Sequence, residues 1–408
     1  MKILQINTFY NRGSTGKIAK GIQETCQKNH IECISGYRYV ENENEKYEQT
    51  LGISSWLDCR IHGRLARYTM LKGCFSYFKT KQFIRKIEKY SPDIIHLHNL
   101  HGSYINIPLV FQYIKKNNIP VVWTFHDCWP FTGGCSYFDL SGCEKWQEGC
   151  VHCPVYKSFS SSLADMASKS WNMKKSWFLN VENMTIVTPS EWLAGLVGQS
   201  FLKKYPVKVL RNGINTQIFQ PTYGEIRKKY GISEDVFMVL GVAFDWGERK
   251  GLDVFQELAN RLGERYQIVL VGTEADIDCQ LPNNIISIHR TENQKELAEL
   301  YTAADILANP TREDNYPTVN LEALACGTPV ITFCTGGSPE ALDNTCGSIV
   351  ECNDIDEFEK EIRRICESKP YSEQACLKRA EMFNETDRFY DYIELYRDII
   401  AKRSRKGE

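Results

Sequence analysis

The sequence contains no apolar run that approaches the ~20 residues required by a membrane-spanning helix. Its start, Met1–Asn7, has neither the apolar stretch of ~7–15 residues nor the small-residue cleavage site of a signal peptide. We therefore expect a cytoplasmic protein without a secretory leader. Dense stripes of Lys and Arg with interleaved aromatic residues are also missing, which argues against a nucleic-acid partner.

The charges nearly balance, at a net charge of −2, but they are unevenly spread. Residues 1–205 carry a net charge of +9 and residues 206–408 a net charge of −11. At 408 residues the chain is also too long for one ordinary core, so we expect two folding units with different tasks. A composition of 25% charged and 42% hydrophobic residues excludes a wholly disordered, collagen-like or coiled-coil chain.

The sixteen cysteines would indicate disulfides in a short secreted chain. In a long chain without an export signal we expect most of them to be reduced. Cys326 and Cys334 stand in apolar surroundings and are expected to be small core residues.

Four further cysteines fall within 19 residues, and the last two form a Cys-x2-Cys-Pro pattern that suits a tetrahedral structural zinc site. The overall spacing is not that of a standard zinc finger, so unpaired thiols and disulfides stay open as alternatives. His152, between the last two cysteines, is expected to be a bystander. The four cysteines are Cys135, Cys143, Cys150 and Cys153.

Short apolar runs rich in Ile and Val alternate with amphipathic stretches, which predicts strands buried on both faces of parallel sheets with helices between them. The pattern occurs on each side of about residue 206 and predicts an α/β protein with two doubly wound domains. The stretch 128–180, rich in Cys, Gly, Ser and Trp, is expected to be an insertion. The predicted strands are 2–8, 93–99, 121–127, 184–189, 207–211, 237–243, 266–271, 285–289, 305–309 and 329–333, and the clearest helices are 16–28, 81–90, 251–262, 294–304 and 386–402.

A glycine-bearing loop, 11–18, follows the first predicted strand and opens a helix, which is where an α/β domain commonly binds phosphate. It is not a P-loop, because Asn11 and Ile18 replace the required Gly and Ser/Thr. It also lacks the Gly-x-Gly opening of a dinucleotide fingerprint. An ordinary tight turn between strand and helix remains the alternative.

The most specific segment is 309–331, which reads as a strand, a loop, a helix and a second strand. Pro317 is predicted to begin the helix and Gly327 to end it. Asp314 precedes this helix and Glu322 lies within it, eight positions later, so both could face one ligand near the positive end of the helix.

This acidic pair resembles the glutamate–seven–glutamate signature of the family-4 retaining glycosyltransferases, whose GT-B fold sets two Rossmann-like domains across a cleft. The cysteine pattern after His126 resembles the branch found in bacterial colanic-acid, capsule and exopolysaccharide clusters. Further matching pieces occur in the same order, at Gly13–Gly16, 93–99, His126-Asp127, 189–193, 212–214, Lys250-Gly251 and 335–340.

The resemblance implies an acceptor-side domain over 1–205 with the Cys-rich insertion at about 128–180, a nucleotide-sugar domain over 206–385, and a final helix, 386–408, that returns to the first domain. It implies a hexosyltransferase that uses a nucleoside-diphosphate sugar, needs no catalytic metal, and acts on a glycan or polyprenyl-linked acceptor. The catalytic residues it implies are His126, Lys250, Arg249 and Asp314.

The family roles transfer residue by residue. His126 would lie at the reacting centre, Lys250 would neutralise the diphosphate, and Asp314 would bind hydroxyls of the donor sugar. Glu322 would bind the ribose. The implied donor-binding set is Gly13, Gly16, Asn212, Lys250, Glu313, Asp314, Asn315, Tyr316, Thr318 and Glu322.

Two positions depart from the family pattern. The usual Arg shortly before the Lys-Gly pair is replaced by Arg249, directly beside Lys250, which is either the second cation for the leaving diphosphate or a surface charge. Asp314 is shorter than the usual Glu, and the neighbouring Glu313 is a competing partner, although the spacing favours Asp314. An epimerase or phosphorylase of the same fold, and a non-catalytic nucleotide-sugar-binding scaffold, are the rival functions.

Two further features have both a structural and a functional interpretation. His96, His98 and His101 form a cluster for which metal binding is not favoured, and at least one is expected to be a hydrogen-bonded structural histidine. The basic, aromatic-flanked stretch 60–86 is either a solvated helix face or a peripheral contact with the anionic inner face of the plasma membrane.

Overall fold

The structure, a computed structural model, describes residues 1–39 and 47–406. The chain divides into two compact units. Unit 1 comprises Met1–Leu210 and Arg388–Glu408, and unit 2 comprises Arg211–Asp387. Among the described residues, no helix combines the length and the apolar character needed to cross a membrane.

Unit 1 is built on a parallel sheet that has seven strands in the described part of the chain, in the order β3-β2-β1-β4-β5-β6-β7. Its central strands are almost completely buried, as their unbroken apolar sequences predict. The strands are β1 (Lys2–Ile6), β2 (Glu32–Tyr37), β3 (Thr50–Gly52), β4 (Ile94–Leu97), β5 (Val121–Thr124), β6 (Met184–Thr188) and β7 (Val207–Val209).

Helices cover both faces of this sheet, which gives unit 1 two hydrophobic clusters. The larger one surrounds Trp123 of β5, and the smaller one lies under the first and last helices. The helices are α1 (Gly13–Lys28), α2 (Trp56–Thr69), α3 (Tyr77–Tyr90), α4 (Ile107–Lys116), α5 (Tyr156–Phe159), α6 (Ala167–Phe178), α7 (Glu191–Gln199) and α15 (Glu385–Lys406), the last of which belongs to unit 1 from Arg388 onward.

Unit 2 repeats the architecture with a parallel sheet of six strands among the described residues, in the order β10-β9-β8-β11-β12-β13. Two hydrophobic clusters again lie on its two faces. The strands are β8 (Phe237–Val242), β9 (Tyr266–Val271), β10 (Ile285–Ile288), β11 (Ile306–Asn309), β12 (Val330–Phe333) and β13 (Gly347–Val350), and the helices are α8 (Ile226–Lys229), α9 (Leu252–Arg261), α10 (Ala275–Asp278), α11 (Gln294–Ala303), α12 (Thr318–Ala325), α13 (Ile355–Ser368) and α14 (Glu373–Ala380).

The predicted doubly wound α/β class is confirmed, and each of the ten predicted strands contains an observed one. The sequence reading missed β2, β3 and β13. These strands lie at or near sheet edges and carry Gly, Ser and Thr among their apolar residues, which weakens the apolar signal.

Three details differ from the expectations. The division falls after Leu210 rather than at 205/206, because β7 pairs with β6 in the first sheet. The stretch 128–180 is not wholly an insertion, since its last part is α6, the helix that connects β5 to β6 and packs against α4. Cys326 is buried as expected, but Cys334 is exposed because it lies just beyond the end of β12.

Candidate active site

The glycine loop lies between β1 and α1 at the carboxyl end of β1. Gly13 is the first residue of α1 and has a φ of 64°, a left-handed conformation that glycine adopts without strain. Gly16 is buried, and its carbonyl accepts a hydrogen bond of 3.0 Å from the backbone N–H of Asn11. The loop therefore folds back tightly and places the start of a helix at the edge of the sheet.

His126 lies two residues beyond β5, at the same carboxyl edge of the unit 1 sheet. Its ring is stacked on that of His98, and its Nε2 is 3.1 Å from Nδ1 of His98. Burial lowers the pKa of His126 to about 4, although Asp127 acts in the opposite direction. The imidazole is therefore uncharged at neutral pH.

The neighbouring histidines have different environments. His96 is fully buried and is hydrogen-bonded to Tyr396 Oη at 2.6 Å and Thr124 Oγ1 at 2.8 Å, so it is a structural histidine that connects β4 to α15. His101 lies 3.3 Å from a carboxylate oxygen of Asp127 and stacks on Trp129.

Lys174 of α6 fixes the segment that follows His126. It is buried, lies over the ring of Trp129, and donates hydrogen bonds of 2.7 and 2.9 Å to the carbonyls of Trp129 and Thr132. Burial lowers the pKa of this lysine to about 7. The sequence reading missed Lys174, because nothing in its helical surroundings marks it as buried.

In unit 2, Lys250 forms an ion pair with Asp314, and both side chains are about one-sixth exposed. Lys250 ends a short 3-10 helix, Glu248–Lys250, that follows β8, and Asp314 lies in the loop after β11. These strands are neighbours in the sheet, so their carboxyl ends bring the two loops together. Two of the predicted site residues are thereby placed in direct contact.

Glycines permit this close approach. Gly251, directly after Lys250, has a φ of 72°, and a Cβ there would overlap the carbonyl oxygen of Pro310. Gly336 has a φ of 55°, and a Cβ at that position would overlap the carbonyl oxygen of Asp314. Both positions therefore require glycine for the loops to pack.

Arg249 is half-buried, and its Nη1 donates a hydrogen bond of 3.1 Å to the backbone carbonyl of Glu313. It is thus attached to the acidic loop rather than extended into solvent. Its own carbonyl accepts a 2.9 Å hydrogen bond from the N–H of Arg312.

Arg312, which the sequence did not single out, stabilises the loop that carries Asp314. Its guanidinium binds both carboxylate oxygens of Asp253, at 2.7 and 2.6 Å, and donates a 2.6 Å hydrogen bond to the carbonyl of Glu248. This bidentate contact raises the pKa of Arg312 and lowers that of Asp253. The sequence feature that could have drawn attention to Arg312 is its position directly before Glu313 and Asp314.

Glu322 lies on α12. This helix begins at Thr318, one residue after Pro317, which was predicted to begin it. It ends at Ala325, two residues before Gly327, whose φ is 85°. One carboxylate oxygen of Glu322 accepts a hydrogen bond of 2.9 Å from Tyr301 Oη. Tyr301 is fully buried, so its hydroxyl group fixes the orientation of the Glu322 side chain.

Most of the other predicted donor residues in unit 2 lie next to Asp314 in sequence. Glu313, Asn315 and Tyr316 are buried in the loop before α12, and Thr318 is half-buried at its start. The backbone N–H of Asn315 donates a 2.9 Å hydrogen bond to Asp314 Oδ1. Asn212 is half-buried near the start of unit 2, away in sequence from the rest of the set.

The four clustered cysteines line one cavity, together with Trp146 and Phe159. All sixteen cysteines are free thiols. Burial raises the pKa of Cys135 to about 11 and that of Cys150 to about 12. In the described part of the chain, no group of three or more His, Cys, Asp or Glu side chains is arranged as a metal-ligand set, so these rotamers do not form a zinc site. His152 contributes only its carbonyl, which accepts a 2.7 Å hydrogen bond from Lys145.

Two family models match the chain in the order of its two units. The model for Glycosyltransferase Family 4 matches residues 41–218, and that for Glycosyl transferases group 1 matches residues 223–383. The chain is 25% identical over 391 residues to the putative colanic acid biosynthesis glycosyl transferase WcaC of Escherichia coli, with 92% of each chain covered.

Solved structures show the same fold at lower identity. Sucrose-phosphate synthase from Thermosynechococcus elongatus has a TM-score of 0.73 at 17% identity and covers 98% of this chain and 99% of its own. Anabaena HepE, crystallised with UDP-glucose, has a TM-score of 0.68 at 13% identity and covers 98% of this chain and 100% of its own.

The two parallel sheets and the two family models define a glycosyltransferase with the GT-B type of fold. Within that class the chain combines a domain that matches the family 4 model with a following domain that matches the group 1 model.

Proposed function

We propose that this enzyme transfers a hexosyl unit from a nucleoside-diphosphate sugar to a hydroxyl group of a glycan or lipid-linked glycan, with retention, in bacterial polysaccharide biosynthesis. The observation that carries the proposal is the contact of Lys250 with Asp314 at the carboxyl edge of the unit 2 sheet. A paired cation and acid at that edge suit a ligand that carries both phosphates and sugar hydroxyls.

Each side chain then has a role that suits its chemistry. Lys250 and Arg249 stabilise the negative charge that develops on the leaving diphosphate, without a catalytic metal. Asp314 accepts hydrogen bonds from hydroxyls of the sugar, and Glu322, fixed by Tyr301, accepts them from the ribose. Without the donor, Asp314 neutralises Lys250. When the donor binds, its diphosphate replaces Asp314 as the ionic partner of Lys250.

The unit 1 residues complete the proposed reaction. His126 lies at the reacting carbon, and the amides after Gly13 and around Gly16 support the diphosphate. We assign no carboxylate nucleophile, so the acceptor hydroxyl attacks from the face that the diphosphate leaves, and a diphosphate oxygen takes its proton. Exclusion of water from the bound donor suppresses its hydrolysis.

The relatives support the donor and the pathway. WcaC is named for colanic acid biosynthesis, which favours a polysaccharide product, and HepE was crystallised with UDP-glucose, which favours a nucleotide-sugar donor. An epimerase of the same fold would convert the donor without any glycan acceptor. Product formation followed by mass spectrometry over a panel of donors, with and without acceptors, separates these activities, and a scaffold would show neither.

The donor site has a test of its own. Glu322→Gln keeps the shape of the side chain and removes its charge, so nucleotide binding should weaken by roughly 1.5–3 kcal/mol. Glu357→Gln, which removes an exposed partner of Lys360 on α13, is the matched control and should leave binding unchanged. Calorimetry with UDP and other nucleoside diphosphates measures both, and unchanged affinity for Glu322→Gln would contradict its role at the ribose.

Contact with an anionic membrane is the second part of the proposal, supported by the surface of α2. One face of this helix buries Cys59, His62 and Ala66. The opposite face exposes large apolar and aromatic side chains at helical spacing, and α3 adds two more at its start. These are Trp56 (52% exposed), Leu57 (61%), Ile61 (52%), Leu65 (42%), Tyr68 (64%), Tyr77 (44%) and Phe78 (79%).

Basic side chains are interleaved with this apolar face, with Arg60, Arg64 and Arg67 all exposed on α2. Arg60 lies over the ring of Trp56 at 4.6 Å. An apolar stripe flanked by arginines matches the chemistry of an anionic bilayer surface, where the apolar groups enter the interface and each cation gains ~1 kcal/mol. A lipid-linked acceptor would be reached from such a surface.

Cosedimentation with vesicles tests this surface. The wild type should bind phosphatidylglycerol-containing vesicles and bind pure phosphatidylcholine vesicles weakly, and the double substitution Leu57→Gln and Ile61→Gln should reduce the binding at least tenfold. Phe244→Gln, at a position 96% exposed in unit 2, is the control. Equal binding by wild type and double variant, or none by either, would contradict membrane contact through α2.

For the Cys-rich segment we propose a structural zinc ion. The support is that four thiols line one cavity and that the N–H of Gly133 donates a hydrogen bond of 3.0 Å to Sγ of Cys150, as amides do to metal-bound thiolates. Binding requires the thiols to turn towards one point and to lose their protons. Elemental analysis should find about one zinc per chain, and metal-free, active protein with four alkylatable thiols would contradict it.

A further inference from the structure

A chain of buried polar side chains connects the helix after the glycine loop to His126 within unit 1. It runs from α1 through Gln5 of β1 to His98, just after β4, and then to His126, just after β5. Gln5 is completely buried and His98 is 1% exposed. Buried polar groups of this kind are held in fixed orientations, because each must satisfy its partners without water.

The orientation of the Gln5 amide follows from its neighbours. Its Nε2 lies 2.8 Å from the carbonyl oxygen of Ala19 in α1, and a carbonyl can only accept a hydrogen bond. The –NH2 group must therefore face Ala19. Ser35 Oγ, 3.3 Å from the same nitrogen, agrees with this, since the Ser35 hydroxyl donates its own proton to Oε1 of Gln23.

The amide oxygen of Gln5 then determines the tautomer of His98. Oε1 lies 3.1 Å from Nε2 of His98 and can only accept, so Nε2 of His98 carries a proton. Burial beside His96 and His126 lowers the pKa of His98 well below its usual range, so the ring carries no second proton. Nδ1 of His98 is therefore an acceptor.

The tautomer of His126 follows from that of His98. Nδ1 of His98 lies 3.1 Å from Nε2 of His126 and accepts a hydrogen bond from it. His126 is thus held as the Nε2–H tautomer, and its Nδ1 bears a lone pair instead of a proton. A lone pair at this position accepts a hydrogen bond from a hydroxyl group and is repelled by a phosphate oxygen.

We propose that Gln5 and His98 are positioning residues that fix His126 as the Nε2–H tautomer, so that its Nδ1 can accept a hydrogen bond but cannot donate one. The inference rests on the proposed function, which places His126 at the reacting carbon. It adds what that placement leaves open, namely which ring nitrogen carries the proton and which residues decide it.

The tautomer can be measured without any substrate. Long-range proton–nitrogen correlation spectra of the full chain with labelled histidine distinguish the two neutral forms of a ring, and His126→Asn identifies the signal. We expect the wild type to show protonated Nε2 and unprotonated Nδ1 at neutral pH. A His126 ring protonated at Nδ1, or exchanging between both forms, would overturn the proposal, and this result needs no destabilising variant.

Gln5→Met tests the relay itself, because it keeps the length of the side chain and removes the accepting oxygen. We expect a second tautomer of His126 to appear, turnover to fall roughly tenfold, and the KM for the nucleotide sugar to stay within about twofold. Ser35→Ala is the matched control, since it removes a buried contact of the Gln5 –NH2 group but leaves the oxygen in place. It should preserve both tautomer and turnover.

The outcomes separate the relay from the proposed function. An unchanged His126 spectrum in folded Gln5→Met would overturn the relay whatever the activity. A changed spectrum with wild-type turnover would preserve the relay and contradict the placement of His126 at the reacting centre.

Discussion

Seven of the eight histidines lie in unit 1. His96 lies in β4, His98 directly follows it, and His126 follows β5. The corresponding strand ends of unit 2 instead carry Lys250 and Arg312, which are paired with Asp314 and Asp253. The unit 1 edge is therefore rich in imidazole rings, of which His96 and His98 are buried and His126 is half-buried. The unit 2 edge is made of charged side chains that are paired with each other.

This difference suits the two tasks that the proposed function assigns to the two sheet edges. Burial lowers the pKa of His96 to about 3 and that of His126 to about 4, so these rings stay neutral and can be held as single tautomers. The arginine and acid of unit 2 stabilise each other's charge, as the raised pKa of Arg312 shows. Orienting a reacting group needs the first environment, and binding an anionic leaving group needs the second.

The largest effect should come from His126→Ala, which removes the ring from the proposed reacting centre. Turnover should fall on the order of 10²-fold or more, while nucleotide affinity changes little, because the proposed nucleotide site lies in unit 2. Steady-state transfer, matched binding data and a melting curve measure this. Wild-type turnover would contradict the placement of His126 at the reacting centre. If His126→Ala does not fold, His126→Asn is used in its place.

Lys250→Met should have the complementary effect. It removes the cation that we propose binds the diphosphate and takes away the ionic partner of Asp314, so binding of a nucleoside diphosphate should weaken by roughly 1.5–3 kcal/mol, or about 10- to 150-fold. Lys360→Met, which removes an exposed ion pair on α13, is the control. Calorimetry that found equal affinities would show that the charged edge of unit 2 does not bind the phosphates.

Mild acid should destabilise unit 1 before unit 2. A buried histidine with a lowered pKa binds a proton in the unfolded chain below about pH 6.5 but not in the folded one, so stability is lost as the pH falls from 6.5 towards 4. For His96, which is fully buried, the loss is on the order of 3 kcal/mol at the end of that range.

Hydrogen exchange measured by mass spectrometry, corrected for the intrinsic rate at each pH, follows the two units separately. Peptides from β4 and β5 should lose protection between pH 6.5 and 4, while those from β8 and β9 keep theirs. Unit 2 contains one histidine, His289, which is more than half exposed. Simultaneous loss in both units would contradict the comparison.

The smallest effect should come from Tyr301→Phe. This change removes the hydroxyl group that donates to Glu322 and keeps the buried ring, so nucleotide affinity should fall by about 0.5–1.5 kcal/mol. Calorimetry would detect the difference. An effect as large as that of Lys250→Met would indicate that the position of Glu322, and not charge, dominates binding in unit 2.

Much of the fold was predictable, because strands buried on both faces are apolar throughout and stand out from the amphipathic helices between them. The strands β2, β3 and β13 were missed because Gly, Ser and Thr interrupt their apolar sequences, and all three lie at or next to a sheet edge. Lys250, Asp314 and Glu322 could be proposed as site residues from the sequence because they lie in or beside contiguous patterns.

The sequence by itself determined the two doubly wound units, the resemblance to glycosyltransferases, and the spacing of Asp314 and Glu322 around α12, since these depend on local spacing and hydrophobic pattern. Only the tertiary structure decided that Lys250 pairs with Asp314, that Arg312 holds Asp253, and that Gln5 and His98 orient the ring of His126. Those contacts join residues 28 to 93 positions apart, which the order of strands in a parallel sheet brings to one edge. Periodicity within a short window carries no information about such neighbours, because it reports which face of an element is buried and not what lies against it.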